Sequence, residues 1–285
     1  MTGRLLAWVG VGIALAAGAV AAQQGPVSFQ LTWVDRQGAR TPIGPLPPGT
    51  FAPRLSPDGR RVAFDTDGAI WIAELSSLAS PRRLAAGRFP MWSPDGTRLL
   101  FAGPYGFQLY WQAADGSGEP EQIAGETARA PESWSTALGL VSYITLTGAS
   151  DYDIWAFAPG DRSQRAIIVE PTSAQMSSRF SPDGKWIAYQ SNETGQFEIY
   201  VEPFPRTGVR TRVSDAGGER PVWSPEGREI FYDKEGTLYV AAVTTSPAFA
   251  ARTPAALPIK GFLQASGRRL WDMSPDGTRF LMMFR

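Results

Sequence analysis

The 285-residue chain has no histidine and no cysteine. Without histidine no Ser-His-Asp triad, imidazole general base or His-ligated metal can be assembled. Without cysteine there is no disulfide, no thiolate nucleophile, no Cys-ligated zinc and no lipidated N-terminal cysteine. Excess charge of either sign is missing too: 27 basic and 27 acidic residues cancel, which removes the general electrostatic case for nucleic acid or an anionic membrane surface. The Gly-rich loop and the His-Arg-Asp signature of a kinase domain are absent. A sialidase-type Ser-x-Asp-x-Gly-x-Thr-Trp box fails as well, because Gly directly follows Asp wherever the chain repeats its Ser-Pro-Asp turn.

What is there is a repeat. Ser-Pro-Asp-Gly stands at Ser56–Gly59, Ser93–Gly96, Ser181–Gly184 and Ser274–Gly277, and as Ser-Pro-Glu-Gly at Ser224–Gly227. The tetrapeptide prescribes a turn: Pro presets φ at the second position, Asp suits the third, and Gly takes the left-handed slot that follows. A large apolar residue precedes each turn and a β-rich run such as Arg61-Val-Ala-Phe64 or Lys185-Trp-Ile-Ala-Tyr189 follows it, so each copy reads as strand, turn, strand. A degenerate copy at Trp134–Gly139 fills the one long interval, and the spacings become 37, 42, 46, 43 and 50. Third strands carry an aromatic near their middle (Trp71, Tyr110, Trp155, Tyr200, Tyr239), and weaker fourth strands follow.

Four strands per unit of about 43 residues predict an all-β chain, a six-bladed β-propeller of four-stranded blades. After Ser274–Gly277 only one strand remains, so the sixth blade lacks its outer pair. Phe29–Asp35 and Ala39–Ile43 supply it, closing the ring by pairing N-terminal with C-terminal strands and protecting the edges. Trp33 is therefore expected beside the strand containing Phe280 and Met282.

Residues 1–23 are a separate object. Arg4 gives a positive start, Leu5–Ala22 is an uncharged apolar run of 18 residues, and Ala19–Ala22 offers small residues before Gln23. This reads as a signal peptide, with an uncleaved membrane anchor as the alternative. Either way residues 24–285 form one propeller domain outside the cytoplasm, periplasmic or held at the inner membrane by residues 5–22.

These turns, with aromatic-aliphatic strands such as Lys185–Asn192, resemble the WD-like repeats of bacterial TolB-type propellers. Arg54–Gly59, Arg179–Glu193, Val201–Pro205 and Ser274–Met282 are similar also to the extracytoplasmic propeller of bacterial receptor-like serine/threonine kinases. The TolB resemblance implies protein or peptide partners at the cell envelope. The chain departs from it in having nothing between residues 23 and 50 long enough for TolB's additional N-terminal domain. The kinase resemblance implies a sensor half encoded apart from its kinase.

The turn acids Asp58, Asp95, Asp183, Glu226 and Asp276 read as structural, since Asp in a turn bonds its own backbone. The apolar residues before each turn read as inter-blade core. Arginines precede every turn serine: Arg54, Arg88, Arg129, Arg179, Arg220 and the pair Arg268 and Arg269. Placed around one channel mouth they could hold a carboxylate or phosphate bidentately, with Glu132, Glu219 and Asp272 offsetting part of the charge. The competing reading is scattered or ion-paired arginine. Asp151-Tyr-Asp153 offers two acids toward calcium, with a solvated loop as the default.

The expectation is a non-catalytic exported binding or sensing module, a monomer without cofactor or metal, taking a protein, peptide or anionic ligand through an arginine-bearing mouth at Arg54, Arg88, Arg129, Glu132, Arg179, Arg220, Arg268 and Asp272. A second class is a His-independent hydrolase or lyase using Glu132 with Asp272, two carboxylates that would have to approach within roughly 5–10 Å.

Overall fold

The computed structural model describes residues 28–125, 127–146 and 152–285. The leader expected at residues 1–23 and the Asp151 half of Asp151-Tyr-Asp153 lie outside them. Among the described residues no helix is long and apolar enough to cross a membrane.

Each Ser-Pro-Asp/Glu-Gly segment closes as its residue types require. The Gly N–H donates to the Ser carbonyl at 2.8–2.9 Å, and the five glycines take φ between 68° and 72°, where a Cβ would be strained. In the four Asp copies the serine hydroxyl donates to the aspartate at 2.5–2.6 Å. The same serine oxygen accepts the N–H five residues on, for example from Arg61 at 2.9 Å. Asp58, Asp95 and Asp276 are consequently held below the usual carboxylate range, Asp276 at about 2, chiefly by the serine hydroxyl. The four turn aspartates are structural.

Six antiparallel sheets result. Blade 1 is Phe51–Leu55, Arg61–Thr66, Ala69–Glu74 and Ser77–Ala86. Blade 2 is Arg88–Trp92, Arg98–Ala102, Leu109–Ala113 and Glu121–Ala124; blade 3 is Ala128–Ser135, Leu140–Leu146, Tyr152–Phe157 and Gln164–Ile168. Blade 4 comprises Gln175–Phe180, Trp186–Ser191, Glu198–Pro203 and Thr211–Arg212. Blade 5 comprises Glu219–Trp223, Glu229–Lys234, Thr237–Thr244 and Ala255–Lys260, the short strand Ala250–Ala251 also pairing with its third strand. Blade 6 joins the chain's two ends: Trp271–Met273 and Arg279–Phe284, then Phe29–Asp35 and Arg40–Leu46. Trp33 lies opposite Leu281, between the Thr32–Met282 and Val34–Phe280 pairs, as the closure argument requires, and the Arg279 guanidinium stacks on its ring at 4.0 Å.

The core lies between blades. Val222, Phe231 and Leu238 of blade 5 pack on Trp271, Phe280 and Met282 of blade 6, and Leu55, Val62 and Phe64 of blade 1 pack on Leu31, Leu281 and Met283 from its other side. Of the pre-turn residues, Leu55, Trp92, Phe180 and Trp223 are buried; Trp134 and Met273 pack against core clusters while partly exposed.

A backbone feature recurs on the inner strands. The residue four before the turn serine is left-handed in four blades: Ala52 (49°), Phe89 (60°), Ser177 (57°) and Arg220 (59°). Strand register shifts there, the signature of a bulge. The displaced amides are taken by side chains of the preceding blade: Phe89 N–H by Asp65 at 2.9 Å, Arg220 N–H by Gln190 at 2.8 Å, and Ser177 N–H by Glu132. Sequence thus specifies how blade meets blade.

Candidate functional site

The inner strands of all six blades wall a central cavity of about 500 Å3. Arg54 and Arg179 occupy the same place in the repeat, two residues before the turn serine, in blades 1 and 4, which face each other across a six-membered ring. Both are within inner strands, where the repeat puts them in the channel wall rather than on a surface loop. Arg54 Nη1 donates to the Pro53 carbonyl at 2.7 Å and the Arg269 carbonyl at 3.1 Å, and Arg179 Nη1 donates to the Ser178 carbonyl at 2.8 Å. Neither guanidinium belongs to an ion pair among the described residues.

Arg269 lines the same cavity and pairs with Asp272 at 3.0 Å. Burial, and next the Arg269 charge, push Arg54 well below the ordinary arginine range and Arg179 down to about 9. A guanidinium keeps its proton in a protein, so both stand in the channel as partly desolvated cations beside the like charge of Arg269.

The carboxylates are committed to the fold. Asp272 Oδ2 accepts the Leu55 N–H of blade 1 at 2.9 Å. Glu132 accepts the N–H groups of Ser177 and Ser178 in blade 4 together with the Ser178 hydroxyl, and burial pushes its carboxyl above the usual range. The two acids come from blades 3 and 6, half a ring apart.

The other candidates separate. Arg220 forms a buried pair with Asp233 through Nε and Nη2; Nη2 also donates to the Gln264 side chain at 3.0 Å, and Nη1 donates to the Ala265 carbonyl at 3.0 Å and to Glu219 at 2.9 Å. Arg220 still lines the central cavity, but its guanidinium is committed to Asp233 of the blade 5 sheet and to the 261–270 segment bearing Arg268 and Arg269, which it anchors. Arg88, Arg129 and Arg268 line a second cavity of about 610 Å3, Arg129 stacked on Phe107 at 3.8 Å and Arg268 on Phe89 at 3.2 Å. Arg268 walls both cavities; burial lowers it to about 10. Among the described residues no three His, Cys, Asp or Glu side chains cluster as metal ligands.

One group escaped sequence reasoning. Asp65 is buried, and burial raises it to about 6 in spite of Phe89 N–H, Arg268, Arg88 and Arg54. A signal existed: the ninth residue after the turn serine is polar in blades 1, 4 and 5, as Asp65, Gln190 and Asp233. These are the acceptors serving Phe89 and Arg220.

No protein-family model matches the chain. An uncharacterised protein of Agrobacterium fabrum, Atu1656, is 23% identical over 192 residues, which span 64% of this chain and 64% of that relative's length. Among solved structures, a TolB-type protein from Agrobacterium tumefaciens superposes with TM-score 0.70 at 17% identity, covering 91% of this chain and 99% of the other. TolB from Acinetobacter baumannii gives 0.53 at 16% identity, covering 90% and 63%. An oligogalacturonate lyase in complex with manganese gives 0.57 at 14%, covering 86% and 80%. At such identities the likeness is one of fold, and the fold is that of TolB-type propellers.

Proposed function

We propose that the chain is a non-catalytic binding module of the bacterial cell envelope, receiving a protein or peptide at a mouth of its central channel. The envelope location rests on the apolar leader read in residues 1–23 and on the likeness to TolB folds. One observation carries the binding reading. On the face bearing the Ser-Pro-Asp-Gly turns lies a depression of about 430 Å3, walled by Trp134, Trp223, Met273 and the turn prolines Pro182, Pro225 and Pro275. It shares Trp134, Arg179 and Asp272 with the central cavity. A concave aromatic and aliphatic rim over a few fixed polar groups is what a peptide or small ligand needs for burial and orientation.

Carboxylate catalysis is less favoured, because Glu132 and Asp272 are each bonded to backbone donors of the next blade and face each other from opposite sides of the ring. The sensor reading shares the binding step and differs in requiring a kinase-bearing partner.

The test is capture from envelope extract by the tagged chain, beside a variant carrying P182E, P225E and P275E. These exposed prolines sit at turn positions that tolerate Glu, so folding is preserved while the rim becomes charged. A protein held by the native chain and lost by the variant supports the reading. Equal capture by both places the site elsewhere, and capture by neither removes it.

A further inference from the structure

Deeper in the channel the arginine nitrogens support a more specific assignment, which rests on reading the channel as a binding site. Arg54 and Arg179 each spend Nη1 on backbone carbonyls, leaving Nε and Nη2 of both without a protein acceptor among the described residues. The Nε of Arg269, a residue 7% exposed, is sealed from solvent and also lacks a partner. A buried N–H donor without an acceptor is costly; the Arg269 Nε is one, and it shares a cavity wall with the partly exposed Arg54 and Arg179, whose Nε and Nη2 are free to take a ligand.

We propose that the channel is a receptor for a single carboxylate carried on an apolar body, gripped between Arg54 and Arg179 with Arg269 beside them. Charge selects the number of negative charges. Of the five arginines on this wall Arg220 is paired with Asp233 and Arg268 is offset by Asp65; the other three stand with two carboxylates, Asp272 and Glu132, so the surplus matches a monoanion and a phosphate dianion overshoots it. Geometry selects the group, since a planar fork meets a carboxylate with two parallel hydrogen bonds. An apolar part of the wall receives the body: Phe89, Met91, Ala130, Ile144 and Met176, beside the hydroxyls of Ser133, Thr136 and Ser177, offer no polar side-chain atoms beyond weak sulfur acceptors. A free organic acid and the C-terminal carboxylate of an inserted peptide present the same chemistry, and the experiment separates them.

Thermal unfolding and calorimetric titration of the full chain use hexanoate, its neutral isostere hexanamide, inorganic phosphate, and a short peptide ending in Ala-Leu with a free or an amidated C-terminus, all at matched ionic strength. At ten times its dissociation constant hexanoate should raise the unfolding midpoint by about 3–5 °C, while hexanamide leaves it within about 1 °C. R54Q and R179Q should each weaken hexanoate at least about tenfold, the loss of one charge-assisted hydrogen-bonding partner, and R60Q on an exposed turn should not. Binding of the free-ended but not the amidated peptide assigns the carboxylate to a chain terminus; hexanoate alone assigns it to a free acid. Equal binding of hexanamide, tighter binding of phosphate, unchanged affinity in both R54Q and R179Q, or no binding of hexanoate or either peptide overturns the assignment. If a glutamine variant loses its cooperative transition, the native comparison of hexanoate, hexanamide and phosphate decides. The turn-face variant P182E/P225E/P275E separates the two readings: protein capture lost there with hexanoate unaffected leaves both standing, and capture without any carboxylate binding sinks this one alone.

Discussion

Trp92 donates its indole N–H to the carbonyl of Arg54, at 3.0 Å, from the next blade of the ring. The residue whose side chain enters the channel is thus held from behind by its neighbour. Blades 4 and 5 repeat the arrangement, with Trp223 donating to the Arg179 carbonyl at 3.0 Å. The two channel cations are positioned by equivalent contacts on opposite sides of the ring.

W92F and W223F should each cost about 2 kcal/mol, from a buried carbonyl left without its donor and from lost ring volume. Because the sites lie half a ring apart, the double variant should be additive within about 0.5 kcal/mol. Urea unfolding measures both, and strong coupling between the two would show that the ring transmits strain between opposite blades.

Arg220 should behave as a structural residue. Replacing it by Met leaves Asp233, which is 0% exposed and also accepts the Trp271 indole N–H at 2.9 Å, as a buried uncompensated charge, costing about 3–5 kcal/mol. R220M/D233N should be less destabilised than the sum of its single changes. Hydrogen exchange in residues 261–270 should quicken in R220M, since that segment loses the bonds to Gln264 and Ala265. An R220M protein of native stability would refute the assignment.

Asp65 supplies a pH test. Burial raises its folded-state value to about 6 from the usual 3.8, so the native state binds this proton more tightly than the unfolded chain. Its charge therefore costs stability above about pH 6, and the cost disappears as pH falls toward 3.8. D65N keeps an oxygen for the Phe89 N–H and mimics the protonated acid. It should exceed wild type by about 2–3 kcal/mol at pH 7, the difference closing between pH 6 and 4. A pH-independent difference would show that another property of the side chain is responsible.

The inner-strand bulge can be tested by comparing glycines. Ala52 and Ala63 are both 0% exposed, yet Ala52 has φ of 49° and Ala63 lies in regular ladder opposite Ile72. A52G should stay within about 0.5 kcal/mol of wild type, because glycine relieves the left-handed strain, while A63G should cost about 1 kcal/mol or more. Equal losses would remove the bulge as a strained element.

The architecture was legible because its determinants are local and repeated. Ser-Pro-Asp-Gly encodes a turn through the φ of proline, the acceptor of aspartate and the left-handed tolerance of glycine. Five such turns at blade spacing, with a Trp-Ser copy in the gap, determine the blade number. The single strand left after Gly277 determines which termini must pair. The candidate site was legible only as a set of arginines near the turn serines, since their separate fates depend on backbone direction and on neighbouring blades. Arg54 and Arg179 share an offset of two residues and meet in the channel. Arg220, at an offset of four, sits on the bulge and commits its guanidinium to Asp233 of its own sheet. Arg269 was adjacent to Arg268 in sequence, but the ring sends one to Asp272 and the other onto Phe89. Composition and spacing determined the fold of this protein; which cations were left without carboxylate partners was decided by tertiary structure, because pairing a buried charge depends on contacts between blades far apart in the chain.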